Sequence, residues 1–279
     1  MLVRINKETG FTLIELAVVL FIVSLLLAGF LSPLSTRLEQ QNRERTVDKL
    51  DEIKESLLGY AVINGRLPCP DCPDGNVGTC GSIAASLRND GIEDRDGSTS
   101  NFCRTNIGTV SIGNMPWVDL QVREHDEWAR HYTYGVTSNF ADDVAGTGCG
   151  TVAVGISFEI CSPGAINIHN TYVVGPTVYP TASIAGNIPA IVISHGNDGY
   201  EANQSAQQVE NYGRKPVNPV NGIDILSSYT ATAFSTNDFI YTDFTRDTSL
   251  NPPTQFDDLV IWLSPAILMN RMLVSGSLP

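Results

Sequence analysis

An unbroken apolar run near the start sets the first constraint on this chain. From Phe11 to Leu31 nearly every residue is Leu, Ile, Val, Phe or Ala. About 21 residues at ~1.5 Å per residue cover roughly 31 Å, the thickness of a bilayer's hydrocarbon core, so residues 11–31 are expected to be a transmembrane helix. One ionisable group, Glu15, stands near the start of the run. A carboxylate costs up to about 3 kcal/mol at the membrane centre and less near the interface, and such a group ordinarily has a partner and a task. Arg4 and Lys7 lie in the short polar leader ahead of the run. Positive charge is best retained on the cytoplasmic side, which sends everything after Leu31 across the membrane. A secretory signal peptide fits worse, because the run is too long and no small-x-small cleavage site closes it.

The helix should outlast the apolar run. From Ser35 to Asn64 the sequence is polar, with Val47, Leu50, Ile53, Leu57, Leu58 and Ala61 recurring at three- and four-residue steps. That spacing predicts an amphipathic helix over 32–64 that lays one stripe on a globular domain. Pro33 should kink or locally melt it, and Asn64-Gly65, with Pro68 and Pro70 behind, should end it.

The remainder, 65–279, carries no linker, repeat or low-complexity tract. Asp71 to Asn106 is rich in Gly, Asp and Cys and reads as a stapled loop region. Apolar runs at Val152–Ile160, Tyr172–Val174, Ala190–Ser194, Phe239–Phe244 and Leu259–Ser264 predict antiparallel strands, and Pro265–Val274 a short closing helix. The fold class is therefore α+β, one β-rich domain with its sheet packed on the amphipathic helix.

Charge and cysteines narrow the setting. The chain has 17 basic and 30 acidic side chains, a formal net charge of −13. Nucleic acid is not an expected partner, since no Lys/Arg cluster is available to neutralise phosphates. The six cysteines, Cys69, Cys72, Cys80, Cys103, Cys149 and Cys161, all follow the apolar run, where an oxidising compartment favours disulfides. Six cysteines allow 15 connectivities. Cys149 and Cys161 bracket a segment that reads as two short strands about Gly155, which pairs them. Zinc at Cys69-Pro70-Asp71-Cys72 is the competing reading, although no second closely spaced Cys or His pair follows.

Gly10-Phe11-Thr12-Leu13-Ile14-Glu15 closely resembles the cleavage and methylation motif of type IV prepilins and type II secretion pseudopilins. The resemblance implies that prepilin peptidase removes a leader, residues 1–10, after Gly10, and that the new amine on Phe11 is N-methylated. Glu15 would pair with a neighbouring subunit's N-terminal amine during assembly, because an unpaired carboxylate among apolar helices is costly. It also implies a pilin-like fold, a bacterial inner-membrane anchor with a periplasmic domain, and other pilin or pseudopilin subunits as partners. Asn64 to Pro70, Met115-Pro116-Trp117, Asp126-x-Trp128, Tyr132-x-Tyr134, Ile191 to Gly199 and Phe256 to Trp262 resemble a subgroup of large prepilin-like proteins. Ala129 stands where that pattern usually has Gly. In the same proteins, cysteines placed like Cys69 and Cys103 form the shared disulfide, which leaves Cys72 and Cys80 for a small local loop.

Two function classes follow from the resemblance. One is a structural subunit, a minor component of a type IV pilus or type II secretion pseudopilus. The other is a tip-located binding module whose large domain holds a ligand or secreted cargo. The large tip pseudopilin typically lacks the glutamate found here as Glu15, which disfavours that role.

Other chemistry is weaker. Asp90, Glu93, Asp94 and Asp96 put four carboxylates on a Gly-containing loop, a candidate calcium site set against a merely solvated acidic loop. Asp257-Asp258 reads as a solvated strand end. Ser194 and His195 are adjacent on a strand and face opposite ways, so they cannot act as nucleophile and base for each other; His195 reads as capping the turn before Gly196. His125 and His131 are six apart, not the zincin spacing, and His169 stands alone. Trp262 reads as core. The protein is not expected to be an enzyme.

Overall fold

The computed structural model describes residues 12–73, 80–98, 101–106, 108–143, 157–174, 177–197, 211, 237–241, 245–247 and 254–277, without the side chains of 25–35, 81, 171–174, 177–182, 245–247, 254 and 255. Two compact units are present, Met1–Glu44 and Arg45–Pro279. Helix α1, Leu13–Asn64, contributes to both. It does not melt at Pro33: the helix is continuous from Leu13 to Asn64. It stops at Gly65, whose φ of 70° is open to glycine and whose amide donates to Ala61 O at 2.8 Å, a left-handed helix cap.

In the second unit a four-stranded antiparallel sheet has the order β1 (Val110–Asn114), β2 (Thr133–Thr137), β5 (Ala190–Ser194) and β9 (Leu259–Trp262). Its strands alternate between two apolar cores. Tyr134, Val136, Ala190 and Val192 face Leu50, Ile53, Leu57, Leu58 and Ala61 of α1. Leu268, Met269 and Met272 of the closing helix α2 (Pro265–Val274) join the same cluster. From the other face Ile112, Ile191, Ile193 and Val260 meet Ile166, Ile168, Ile188 and Phe239. Those belong to a three-stranded sheet in which β3 (Ile166–Val174) pairs with β4 (Thr177–Ile188) antiparallel and β6 (Asp238–Ile240) parallel. A short pair, β7 (Thr245–Asp247) and β8 (Thr254–Phe256), completes the strands. The period-2 alternation of Ala190-Ile191-Val192-Ile193 serves both cores at once.

Two local expectations need correction. Val47 is 43% exposed, and Thr46 is buried in its place, because the stripe runs 46, 50, 53, 57 and 61. Thr46 Oγ1 accepts the Glu127 amide at 3.4 Å. Ser157–Ile160 is not a strand: Phe158 stacks on Phe140 at 4.8 Å while Ile160 is 60% exposed. Ser157 instead donates its amide to Gly65 O, beside the helix cap. Residues 151–156 of that expected strand and 242–244 of another lie outside the described set.

Truncating the buried stripe leaves cavities under the sheet. Ile53→Ala or Leu57→Ala should each cost about 2–5 kcal/mol, whereas Val47→Ala should stay within about 0.5 kcal/mol. Urea unfolding of the three variants reads the difference.

Candidate functional site

The expected processing residues Gly10 and Phe11 lie outside the described residues, but the geometry begins one residue later. The Thr12 amide and Oγ1 both donate to Glu15 Oε2 at 2.8 Å, and the Glu15 amide donates back to Thr12 Oγ1 at 3.3 Å. This reciprocal pair is a capping box. It satisfies otherwise orphaned donors and sets a carboxylate at the positive end of the helix dipole. Sequence reasoning assigned Glu15 only to a partner amine, although the Thr12-x-x-Glu15 spacing carries the capping signal.

Beyond the cap, Leu13, Ile14, Leu16, Val18, Val19, Leu20, Phe21, Ile22 and Val23 are 43–88% exposed. They occupy every side of the helix, so no single stripe accounts for them. Among the described residues no helix is long and apolar enough to cross a membrane. The described side chains of the apolar run stop at Ser24, and the rest of the expected span lies outside them.

A second constellation forms where α1 ends. Cys69 is bonded to Cys103 (S–S 2.06 Å) and Cys72 to Cys80 (2.00 Å). Zinc at Cys69 and Cys72 is therefore ruled out, since both sulfurs are spent. Cys161 is disulfide-bonded, and its expected partner Cys149 lies outside the described residues.

The four carboxylates expected to share calcium do not converge; each answers a different protein donor. Asp90 Oδ1 accepts the Ile92 amide at 3.0 Å, Asp94 Oδ2 the Cys72 amide at 2.8 Å, and Asp96 Oδ1 the Ser98 amide at 2.9 Å. Glu93 is a hub. Arg66 reaches it through Nη1 at 2.7 Å and Nη2 at 2.6 Å, with Tyr60 OH at 3.0 Å and the Cys69 amide at 2.9 Å. Burial opposes the charge on Glu93, but the Arg66 hydrogen bonds and charge, the Cys69 amide and Arg95 outweigh it and hold the carboxyl below its usual range. Gly91, at φ 78°, packs under the Trp117 indole, a place where any Cβ would collide.

Inside this loop Asp71 is fully buried, with Oδ2 accepting the Gly91 amide at 3.0 Å. Burial first, then repulsion from Asp94 and Asp90, pushes its carboxyl up to about 8 against the amide hydrogen bonds.

A third constellation is enclosed. His195 Nε2 shares a hydrogen bond with Thr133 Oγ1 at 2.8 Å, and its Nδ1 lies 3.6 Å from Asp258 Oδ1. Asn211 donates to Asp258 Oδ2 at 2.8 Å and accepts the Ile240 amide at 2.9 Å. Ser194 Oγ donates to buried Asp126 at 2.7 Å. Asp257 and Asp258 are buried rather than solvated, and His195 bridges β2 to the start of β9 rather than capping a turn. Thr133, His195 and Asp258 stand in the order of a hydroxyl–base–acid relay, yet all three are buried.

With this geometry in view, residues 5–31 match the prokaryotic N-terminal methylation motif. That is the prepilin-type cleavage and methylation signal of type IV pilins and pseudopilins. The match is confined to the N-terminus, and in proteins that carry it the motif implies processing by prepilin peptidase and assembly with other pilin subunits. No curated protein and no solved structure matches the chain.

The raised Asp71 carboxyl has a stability consequence. A group raised in the folded state contributes stability that is fully present below its unfolded value, near pH 4, and is lost as pH climbs toward 8. Asp71→Asn should keep the Gly91 bond, flatten that decline, and be the more stable protein at pH 8. Unfolding free energies measured at pH 5 and pH 8 check it.

Proposed function

We propose that the chain is a non-enzymatic, prepilin-like structural subunit, a minor component of a type IV pilus or type II secretion pseudopilus. Prepilin peptidase cuts after Gly10, Phe11 becomes the N-methylated first residue, and residues 11–31 anchor the protein in the bacterial inner membrane. The domain that follows stands in the periplasm. The matched methylation motif carries this reading. Apolar exposure on every side of Leu13–Val23 supports it, since water tolerates such a surface poorly and lipid or neighbouring subunits would cover it. The minor role is supported by the size of the unit after Glu44, with its two cores and stapled loop.

Glu15 then has two successive partners. In the single chain it caps its own helix with Thr12; in the filament it pairs with a neighbouring subunit's methylated amine, an exchange of one charge-assisted partner for another. Mass spectrometry of the mature protein should find N-methylated Phe11 as its first residue. Finding full-length protein alone in a host with active prepilin peptidase would sink the proposal. The Glu15 role separates by substitution. Glu15→Gln keeps the capping box but removes the charge, so it should insert normally and yet be depleted at least tenfold from sheared filaments. Wild-type incorporation of that variant would leave helix capping as the residue's whole task.

A further inference from the structure

Outside these constellations, Glu124, His125 and His131 bring one ligand atom each to within 4.8 Å of one another. We infer that they form a binding site for a divalent transition-metal ion of the zinc type. Glu124 Oε2 lies 3.6 Å from His125 Nδ1, and Oε1 lies 3.8 Å from His131 Nε2. In a tetrahedral zinc site with bonds of ~2.0–2.1 Å, ligand atoms sit about 3.4 Å apart. The two distances run to different oxygens of the carboxylate, so with one oxygen bound one edge is already within a few tenths of an ångström of that value, and the remaining ligand atoms, all within 4.8 Å of one another, have to draw in by up to about 1.4 Å. Two imidazole nitrogens and one carboxylate oxygen suit zinc and its neighbours, whereas calcium and magnesium want oxygen alone. The side chains of His125, His131 and Glu124 are 38%, 30% and 44% exposed, so an ion can enter and a fourth position stays open to water.

The backbone beneath the ligands is held from several sides. His125 and His131 are partners in an antiparallel bridge, which stands their rings side by side with centroids 4.4 Å apart. The loop between them closes on buried Asp126. Its amide donates to Arg130 O at 2.9 Å, its Oδ1 accepts the Trp128 and Arg130 amides at 2.9 Å, and its Oδ2 takes Ser194 Oγ from β5. Ala129 completes the turn at φ 59°, the left-handed conformation that explains why glycine is usual there. Lys49 of α1 donates to His125 O at 3.3 Å, and the Trp117 ring stacks on His131 at 5.0 Å. Metal ligands perform best when packing and hydrogen bonds around them fix their orientation. A six-residue His spacing has no helical logic, so only the closed loop makes the pair visible.

The test uses the untagged full-length protein in detergent, stripped with chelator and titrated with Zn²⁺ by calorimetry and with Co²⁺ by visible absorption. One equivalent of Zn²⁺ should bind, Co²⁺ should develop the strong d–d bands of a low-coordinate site, and Zn²⁺ should raise the thermal midpoint. Glu124→Gln and His125→Gln, whose side chains lie toward solvent and whose folding is checked by circular dichroism, should each weaken binding at least tenfold and lose the midpoint shift. Absence of binding at tenfold metal excess overturns the site. So does equal binding by wild type and both variants, or displacement of Zn²⁺ by equimolar Ca²⁺.

Discussion

Burial of one helical stripe against the central sheet is the constraint on which the second unit depends. Leu50, Ile53, Leu57, Leu58 and Ala61 form one wall of the main core, and Tyr134, Val136, Val192 and Leu263 form the other. At about 1.5–3 kcal/mol per fully buried aliphatic side chain, this stripe outweighs any local preference of the polar helix around it. The same interface orients the sheet, whose opposite face must then find the second cover that β3, β4 and β6 provide. A sheet apolar on both faces cannot stop at two layers.

Among its described residues the region between α1 and β1 has almost no regular structure, and it is held by other means. Two disulfides shorten its free loops, and Glu93 ties Tyr60 and Arg66 to the Cys69 amide. A half-buried carboxylate is costly unless guanidinium and amide donors surround it, and here they do. Asp71, in the same loop region, has amide donors but also the neighbouring charges of Asp94 and Asp90, so burial wins and its carboxyl rises. The contrast between the two acids comes from their neighbours alone.

Buried polar groups also knit the sheet's far end. Asp126 organises its loop and takes Ser194, His195 joins Thr133, and Asn211 satisfies Asp258. Each bond closes a group that would otherwise cost about 1–3 kcal/mol unsatisfied. These residues include much of what made the later segments look distinctive in sequence, and their role is structural cross-linking between strands distant in the chain.

What the chain alone determined is what short-range physics can express. The methylation motif, the extent of the helix to Asn64, strand β5 and the closing helix at Pro265–Val274 are all written in runs of neighbouring residues, through period and turn chemistry. Tertiary structure decided the rest. Whether Glu93 meets calcium or Arg66, whether Asp258 meets water or Asn211, and whether His125 stands beside His131 depend on residues up to 47 positions apart. Val47 and Thr46 show the same limit at closer range: both fit a helical stripe, and the partner surface chose between them. A polar side chain's chemistry is set by what faces it, and only the folded chain determines that.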